Sequence, residues 1–323
     1  MTPVVGALPQ VTILGIDDRS NSLDIGLETM AAESTVYVQL LNLGIPLDAV
    51  NITQVARAHF TQNLWGRERP LVGGLKAEGF FGAPNNICTL GFNAQLVLEK
   101  GKAAVDGFVT CSHCQFAPGV DDDGTNWYQP VRDPVVPDEN LVGPKKRDPC
   151  YRSDPGNTCG LERMCPVGKT CRRSDSAFVM RDAAKVPGAL GSIARPEPGA
   201  PPPFVYGKNT FKIVGEVNPM CCVSVEKIGQ TTGRTIGEVK LTGQYVPVER
   251  DRAILDATLV NMIVQKGDSG APVITLVDTK CAANPCTANL AGIVFAVDGP
   301  IAYFSPVADI RLATELGNTL VTH

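Results

Sequence analysis

The segment 267–272, which reads Gly-Asp-Ser-Gly-Ala-Pro, constrains the fold of this chain more than any other. A glycine two residues before a serine permits a tight turn that aims successive backbone N–H groups at one point. The apolar run 273–277, Val-Ile-Thr-Leu-Val, predicts a buried strand that holds this turn. Because Asp, Ser and Gly also form ordinary turns, the segment alone is equally compatible with a plain loop.

A serine nucleophile needs a base, and the chain has three histidines. We expect His323 to fray at the end of the sequence, and His59 has no strand or small-residue turn around it. His113 is the predicted base, because the apolar run 108–110 ends just before it in small residues. An alternative is a metal site on Cys111, His113 and Cys114, although no second cysteine cluster lies at the usual zinc spacing.

The third member expected of such a site is a buried carboxylate that fixes the tautomer of the imidazole. The acidic run 121–123 fits a solvated surface. Asp175 directly precedes the small and apolar residues 176–179, so it lies at the mouth of a predicted strand, where a carboxylate can be half-buried. A strand-initiating aspartate without a catalytic role is the alternative. We predict that His113, Asp175 and Ser269 are catalytic.

The chain resembles the chymotrypsin-like serine proteases, whose catalytic His, Asp and Ser occur in this order. Residues 109–114, Val-Thr-Cys-Ser-His-Cys, are similar to the family's Val-Thr-Ala-Gly-His-Cys, and residues 267–272 differ from its Gly-Asp-Ser-Gly-Gly-Pro at one small residue. Residues 227–237 resemble the Thr-Thr-Gly hairpin of the bacterial branch, the streptogrisin and α-lytic type. Residues 304–307 resemble its aromatic-polar-Pro-Val segment, and the similarity spans residues 71–323.

The resemblance implies a role for each residue of the site. Ser269 would attack a peptide carbonyl, His113 would carry the proton, and Asp175 would orient the imidazole. The backbone amides of Gly267 and Ser269 would form the oxyanion hole. Asp268 would form a buried ion pair with Lys227, where the bacterial branch has an arginine, and this pair would need no activating cleavage.

The resemblance also assigns two walls to the primary substrate pocket, Ile263-Val264-Gln265 and Phe295-Ala296-Val297. Segment 261–266 contains no Asp or Glu, so a preference for Lys or Arg is not expected. Phe295 and Val297 stand where the family has Ser and Gly, which predicts a shortened pocket and a small or medium apolar substrate side chain. The same departures leave open an inactive relative that only binds peptides.

Eleven cysteines indicate an oxidising compartment, and we expect a secreted protein. The sequence opens with Met-Thr-Pro and no signal peptide, so either a targeting segment has been removed or the start is incomplete. The resemblance implies a bridge between Cys88 and Cys114 behind the histidine. The odd total leaves at least one thiol unpaired or intermolecular. Further pairs, chosen because their members are close in sequence, are Cys165 with Cys171, Cys281 with Cys286, and Cys150 with Cys159.

The predicted fold class is mainly β, with two antiparallel six-stranded barrels preceded by a small ββαβ module. Turn residues between apolar runs predict strands at 11–16, 23–27 and 49–52, and helical periodicity covers 29–43. The module resembles a propeptide, and an accessory extension without a regulatory role fits equally well. The predicted domains are the module at 1–68, a first barrel at 69–195 with a Cys/Pro-rich insertion at 116–172, a Pro-rich linker at 196–207, and a second barrel with a C-terminal helix at 208–323.

Charge and composition narrow the function classes. A net charge of −4 without a basic block argues against nucleic acid or an anionic membrane as partner. No apolar stretch approaches the ~20 residues of a transmembrane helix. We expect a peptide or protein substrate, no metal or other cofactor, and an N-terminal module that packs on the protease unit. A secreted serine endopeptidase is the favoured function, followed by an inactive peptide-binding relative and then a metal-binding structural protein.

Overall fold

The computed structural model describes residues 5, 10–17, 21–55, 62–82, 86–152, 165–166, 168–248, 251–278, 281, 283–312, 315–317 and 319–323. The chain divides into two compact units, Met1–Phe60 and Thr61–His323. Within the described residues, no helix is long and apolar enough to cross a membrane. His59 and Cys159, both considered above, lie outside the described residues.

The N-terminal unit is a ββαβ module. Its elements are the strands β1 (Val11–Asp17) and β2 (Ser22–Leu27), the helix α1 (Glu33–Asn42) and the strand β3 (Val50–Gln54). Strand β2 pairs antiparallel with β1 and parallel with β3, which gives the sheet order β1-β2-β3. Helix α1 ends at Asn42, and Gly44 follows two residues later with a φ of 72°, in the left-handed region that glycine adopts without strain. Ile25, Leu27, Val36 and Leu40 form the centre of the core.

The second unit is built almost entirely from strands. Its first half contains β4 (Leu71–Gly73), β5 (Lys76–Phe80), β6 (Asn86–Thr89), β7 (Phe92–Leu96), β8 (Val105–Thr110), β9 (Asn126–Tyr128), β10 (Leu141–Arg147), β11 (Thr170–Arg172), β12 (Ala177–Met180) and β13 (Gly188–Ala194). Its second half contains β14 (Thr210–Glu216), β15 (Ser224–Gly229), β16 (Gly233–Pro247), β17 (Arg252–Asn261), β18 (Pro272–Leu276), β19 (Cys286–Asp298), β20 (Ile301–Pro306) and helix α2 (Val307–Arg311).

The first barrel closes through one bent strand. The antiparallel ladders run in the order β6-β5-β9-β10-β12-β8-β7. Strands β6 and β7 are separated only by Leu90 and Gly91, whose amides bond to Leu75 on one side and Val109 on the other. Residues 86–96 therefore act as one strand that pairs with β5 and β8, and the circuit has six strands.

The second barrel closes directly through its ladders. Strands β15, β16, β17, β20, β19 and β18 form an antiparallel ring in that order, because β20 pairs with both β17 and β19 and β15 pairs with β18. Val225, Val260, Ala271, Val294 and Phe304 fill its interior. The predicted fold class, two six-stranded antiparallel barrels after a ββαβ module, is confirmed.

The predicted insertion at 116–172 needs correction, because it supplies strands β9 and β10 of the first barrel. Strand β10 contains Lys145, whose side chain is fully buried between Asp123 at 2.8 Å and Asp148 at 3.3 Å. A buried strand is normally recognised by its apolar positions, and here a compensated charge takes one of them. The predicted C-terminal helix corresponds to α2, which ends at Arg311.

Three disulfides join described cysteines, Cys88–Cys114, Cys165–Cys171 and Cys281–Cys286. The first ties β6 to the turn that carries His113. Among the described cysteines, the free thiols are the buried Cys111 and the exposed neighbours Cys221 and Cys222.

Candidate active site

The pairing of two neighbouring strands places His113 and Asp175 close together. His113 lies in a short 3₁₀ turn, Ser112–Cys114, directly after β8, and Asp175 lies just before β12. Strands β8 and β12 are antiparallel, with Thr110 opposite Ala177. The end of one strand therefore lies beside the start of the other, which brings the imidazole and the carboxylate to the same edge of the first barrel.

Three side chains form a continuous chain of contacts. The Nδ1 atom of His113 contacts Oδ2 of Asp175, and the backbone amide of His113 donates to Oδ1 of the same carboxylate at 3.3 Å. The Nε2 atom of His113 lies 2.8 Å from Oγ of Ser269. With Nδ1 facing the carboxylate, the tautomer that protonates Nδ1 leaves Nε2 free to accept the serine proton.

The carboxylate of Asp175 is held by more than the histidine. Arg172, which is 1% exposed, contacts Oδ1, and the amide of Asp175 donates to Oγ of Ser305 at 2.9 Å. Burial alone would raise the pKa of Asp175, but the positive charges of His113 and Arg172 outweigh it and lower that pKa to about 2. Asp175 is therefore ionised throughout the neutral range.

Arg172 is the centre of a buried polar network that the sequence did not reveal. Its guanidinium donates to Asp148 at 2.9 Å and lies 4.3 Å from the ring centre of Tyr151. Asp148 in turn accepts from Ser112, the residue before the histidine, at 2.9 Å, and it contacts the buried Lys145. The network therefore supports both the carboxylate of Asp175 and the turn that carries His113.

Ser269 lies in the turn that leads into β18 of the second barrel. Gly267 has a φ of 101°, and a Cβ there would collide with the side chains of Gln230 and Thr231, so only glycine fits. Among the hydrogen bonds of the described residues, none has the amide of Gly267 or Ser269 as donor. These two amides can therefore donate to a ligand.

Asp268 fixes the turn that carries Ser269 to the 231–233 hairpin. Its carboxylate accepts from the amides of Thr231 at 2.9 Å and Thr232 at 3.1 Å, and it lies 3.3 Å from Nζ of Lys227. Both charged side chains are fully buried, and burial outweighs the attraction of Asp268 in lowering the pKa of Lys227. Loss of one partner of such a pair typically costs about 3–5 kcal/mol.

Thr89, another buried residue that the sequence did not mark, joins the two barrels at the site. Its amide donates to the carbonyl of Ser269 at 2.8 Å, and its hydroxyl donates to the carbonyl of Gly267 at 2.9 Å. Its own carbonyl accepts from the hydroxyl of Thr110 at 2.9 Å. The nucleophile turn is thus bonded to the barrel that carries the histidine.

An open cleft of about 840 Å³ adjoins the triad. Of the predicted pocket residues, it is lined by Val264, Gln265, Phe295, Ala296 and Val297, together with His113, Asp175 and Ser269. Ile263, also predicted, does not line the cleft; it is 67% exposed, and its carbonyl accepts from the hydroxyls of Thr235 at 2.9 Å and Thr232 at 3.5 Å. The alternation of a strand-like segment turns this side chain outward.

In this structure, the cysteines of the alternative metal site on Cys111, His113 and Cys114 are not available as thiolate ligands. Cys114 is bonded to Cys88, so neither sulfur is available as a thiolate. Cys111 lies near His113 and Asp175, but its thiol donates to the carbonyl of Val294 at 3.0 Å, and burial raises its pKa. A protonated thiol is a poor metal ligand.

Glu315 is fully buried and bonds to the two residues that precede Asp175. It accepts from the amide of Arg173 at 2.9 Å and from the hydroxyl of Ser174 at 3.1 Å. Burial raises its pKa to about 7, and the charge of Arg172 and these hydrogen bonds offset burial only in part. A carboxyl whose folded pKa exceeds its unfolded value stabilises the fold fully below pH 4.5, and this contribution is lost as the pH rises through about 7.

We therefore expect Glu315→Gln to flatten the pH dependence of stability. Between pH 4.5 and 7, the wild-type free energy of unfolding should fall relative to that of the variant, by on the order of 2–3 kcal/mol. Urea denaturation at a series of pH values measures this difference. Glu197→Gln, at an exposed position, is the control, and parallel curves for wild type and Glu315→Gln would contradict the assignment.

Solved structures similar to this chain include three proteases. Thermobifida fusca protease A is 18% identical, with a TM-score of 0.46 over 78% of this chain and 98% of that chain. Cellulomonas bogoriensis chymotrypsin is 17% identical, with a TM-score of 0.45 over 78% and 97%. The Nocardiopsis protease is 17% identical, with a TM-score of 0.46 over 77% and 97%. No protein-family model matches the chain, and no curated protein sequence is significantly similar to it.

Proposed function

We propose that this protein is a serine endopeptidase that hydrolyses peptide bonds through Ser269, His113 and Asp175. The observation that supports it most is the 2.8 Å separation between Nε2 of His113 and Oγ of Ser269, on an imidazole whose other nitrogen faces a buried carboxylate. A serine hydroxyl becomes a nucleophile when a base of this kind is within hydrogen-bonding reach.

The reaction would begin with attack of Oγ of Ser269 on the peptide carbonyl, while Nε2 of His113 accepts the hydroxyl proton. The amides of Gly267 and Ser269 would donate to the oxygen as it becomes negative, and such donors contribute about 10²–10³-fold to turnover. His113 would then protonate the leaving amine, and water would hydrolyse the acyl-enzyme by the same steps in reverse.

Asp175 would act as an electrostatic partner and not as a proton acceptor. Its pKa of about 2 keeps it ionised while the imidazole becomes a cation, so the two charges attract each other when the transition state forms.

Three disulfides fit an oxidising compartment, and we propose that the protein acts outside the cytoplasm.

The competing function is peptide binding without turnover. It was considered because the bulky residues Phe295 and Val297 stand at positions of the predicted pocket. Phe295 is 5% exposed, and its ring centre lies 6.4 Å from that of Tyr303. Phe295 and Val297 both line the cleft, whose volume of about 840 Å³ leaves room for a substrate beside them. The absence of Asp and Glu from segment 261–266 supports a protease that is not specific for Lys or Arg.

Covalent labelling separates the two functions. A fluorophosphonate probe reacts with serines that have an adjacent base, so we expect the native protein to be labelled and the adduct to map to Ser269. Ser269→Ala and heat-denatured protein should remain unlabelled. A folded native protein whose Ser269 stays unmodified at high probe concentration would favour the binding function.

A further inference from the structure

The charges that line the cleft are predominantly positive, although the whole chain carries a net charge of −4. Its ionisable lining residues include the triad members His113 and Asp175 and the two cations Arg252 and Lys266. Both oxygens of Asp175 are engaged, one by His113 and one by Arg172. A ligand in the cleft therefore meets two cations and no available carboxylate.

Within the described residues, no ion pair neutralises Arg252 or Lys266. In the part of the chain that the structure describes, neither side chain has a carboxylate within ion-pair distance. Burying a guanidinium against a ligand without an anionic partner would be unfavourable, whereas a carboxylate matches its planar donors. A free arginine in a substrate cleft thus favours an acidic ligand.

Arg252 is held on a rigid frame. It begins β17, its carbonyl accepts from the amide of Val248 at 3.0 Å, and Thr170 of β11 lies opposite it. Its guanidinium carbon lies 4.8 Å from the ring centre of Tyr151, a distance typical of a cation–π contact. Tyr151, Val248 and Arg252 all line the cleft, so they form one cluster that presents the guanidinium to it.

Exposed apolar side chains also line the cleft. Phe116 and Val120 line it and are 62% and 51% exposed, respectively. Exposed apolar side chains around a charged group are typical of a surface that a ligand covers. The ligand would therefore carry an acidic group flanked by apolar ones.

We propose that the cleft selects peptide segments that carry an acidic side chain, with Arg252 as the carboxylate-binding residue and Lys266 as a second attracting charge. The kcat/KM test of this proposal rests on the proposed protease function, whereas the peptide-binding test does not. A charge-assisted hydrogen bond from an arginine contributes about 10–100-fold in affinity or specificity.

The binding experiment does not need catalysis. Full-length Ser269→Ala protein is titrated with two fluorescein-labelled random decapeptide pools that differ only in a fixed central Glu or Gln, and anisotropy is recorded at low and high salt. We expect the Glu pool to bind about tenfold more tightly at low salt, with the difference shrinking as salt screens the charges. Equal binding of the two pools would overturn the proposal.

The variants assign the preference to one residue. Arg252→Ala should bring the Glu/Gln ratio close to one, Arg252→Lys should retain part of it, and Arg252→Glu should favour a Lys pool. Lys185→Ala, which removes an exposed cation outside the cleft, is the matched control and should keep the ratio. Retention of the full ratio in Arg252→Ala would overturn the proposal.

The two hypotheses can fail separately. In the otherwise wild-type protein, fluorophosphonate labelling of Ser269 should be equal with and without Arg252→Ala, and kcat/KM for matched Glu and Gln peptides should follow the binding ratio. Binding preference without labelling would reject the protease function alone. Labelling without any preference for Glu would reject the acidic substrate class alone.

Discussion

Ser269→Ala is expected to lower kcat for peptide hydrolysis by at least about 10⁴-fold, and His113→Ala by a similar factor. The hydroxyl and the imidazole act as one unit across the 2.8 Å contact, so loss of either partner removes the same step. The double variant should therefore be hardly slower than either single variant, which is the signature of a shared mechanism.

Steady-state kinetics with a chromogenic peptide would measure these factors, and circular dichroism would verify the fold of each variant. Ser224→Ala, at an exposed position on β15, is the matched control and should retain wild-type turnover. If either Ser269→Ala or His113→Ala kept full activity, or if the two losses multiplied, the catalytic assignment would be wrong.

Arg172→Met should lower the free energy of unfolding by about 3–5 kcal/mol. The substitution leaves Asp148 and Asp175 buried without their shared cation. Urea denaturation measures the loss, and Arg147→Met provides the contrast, because its pair with Asp121 is half-exposed and should contribute only about 0–1 kcal/mol.

The same variant has a kinetic signature that a purely structural role would not produce. Without the positive charge of Arg172, Asp175 attracts the imidazolium form of His113 more strongly, so the acid limb of the kcat/KM profile should move to higher pH. Arg172→Lys retains the charge and should leave that limb close to its wild-type position. An unmoved limb in a folded Arg172→Met protein would restrict Arg172 to a role in stability.

Short motifs were enough to predict the meeting of His113, Asp175 and Ser269, because strand ends and tight turns have local sequence signals. Gly267 and the apolar run after Ser269 define one turn, and the small residues around His113 define another. The second barrel was expected from a resemblance, because residues 227–237, 267–272 and 304–307 are similar to segments of the chymotrypsin-like family.

Arg172 and Ser305 were missed because their roles depend on contacts between distant segments. Arg172 stands in a polar, cysteine-rich stretch where nothing local indicates a buried side chain, and Ser305 serves Asp175 from the opposite barrel. Strands β9 and β10 were hidden for a related reason, because Lys145 occupies an interior position that sequence patterns reserve for apolar residues.

The bonds of Thr89 have a consequence for how the two barrels can move. One side chain and one amide on the first barrel fix the carbonyls on both sides of Asp268, within the turn that carries the attacking hydroxyl. If one barrel slid past the other, these hydrogen bonds would break before Ser269 moved far from its position. These ordinary hydrogen bonds thus help to set the distance between Oγ of Ser269 and Nε2 of His113. Loosening β6 would therefore lower the reactivity of Ser269, although β6 contributes no group to the proposed chemistry.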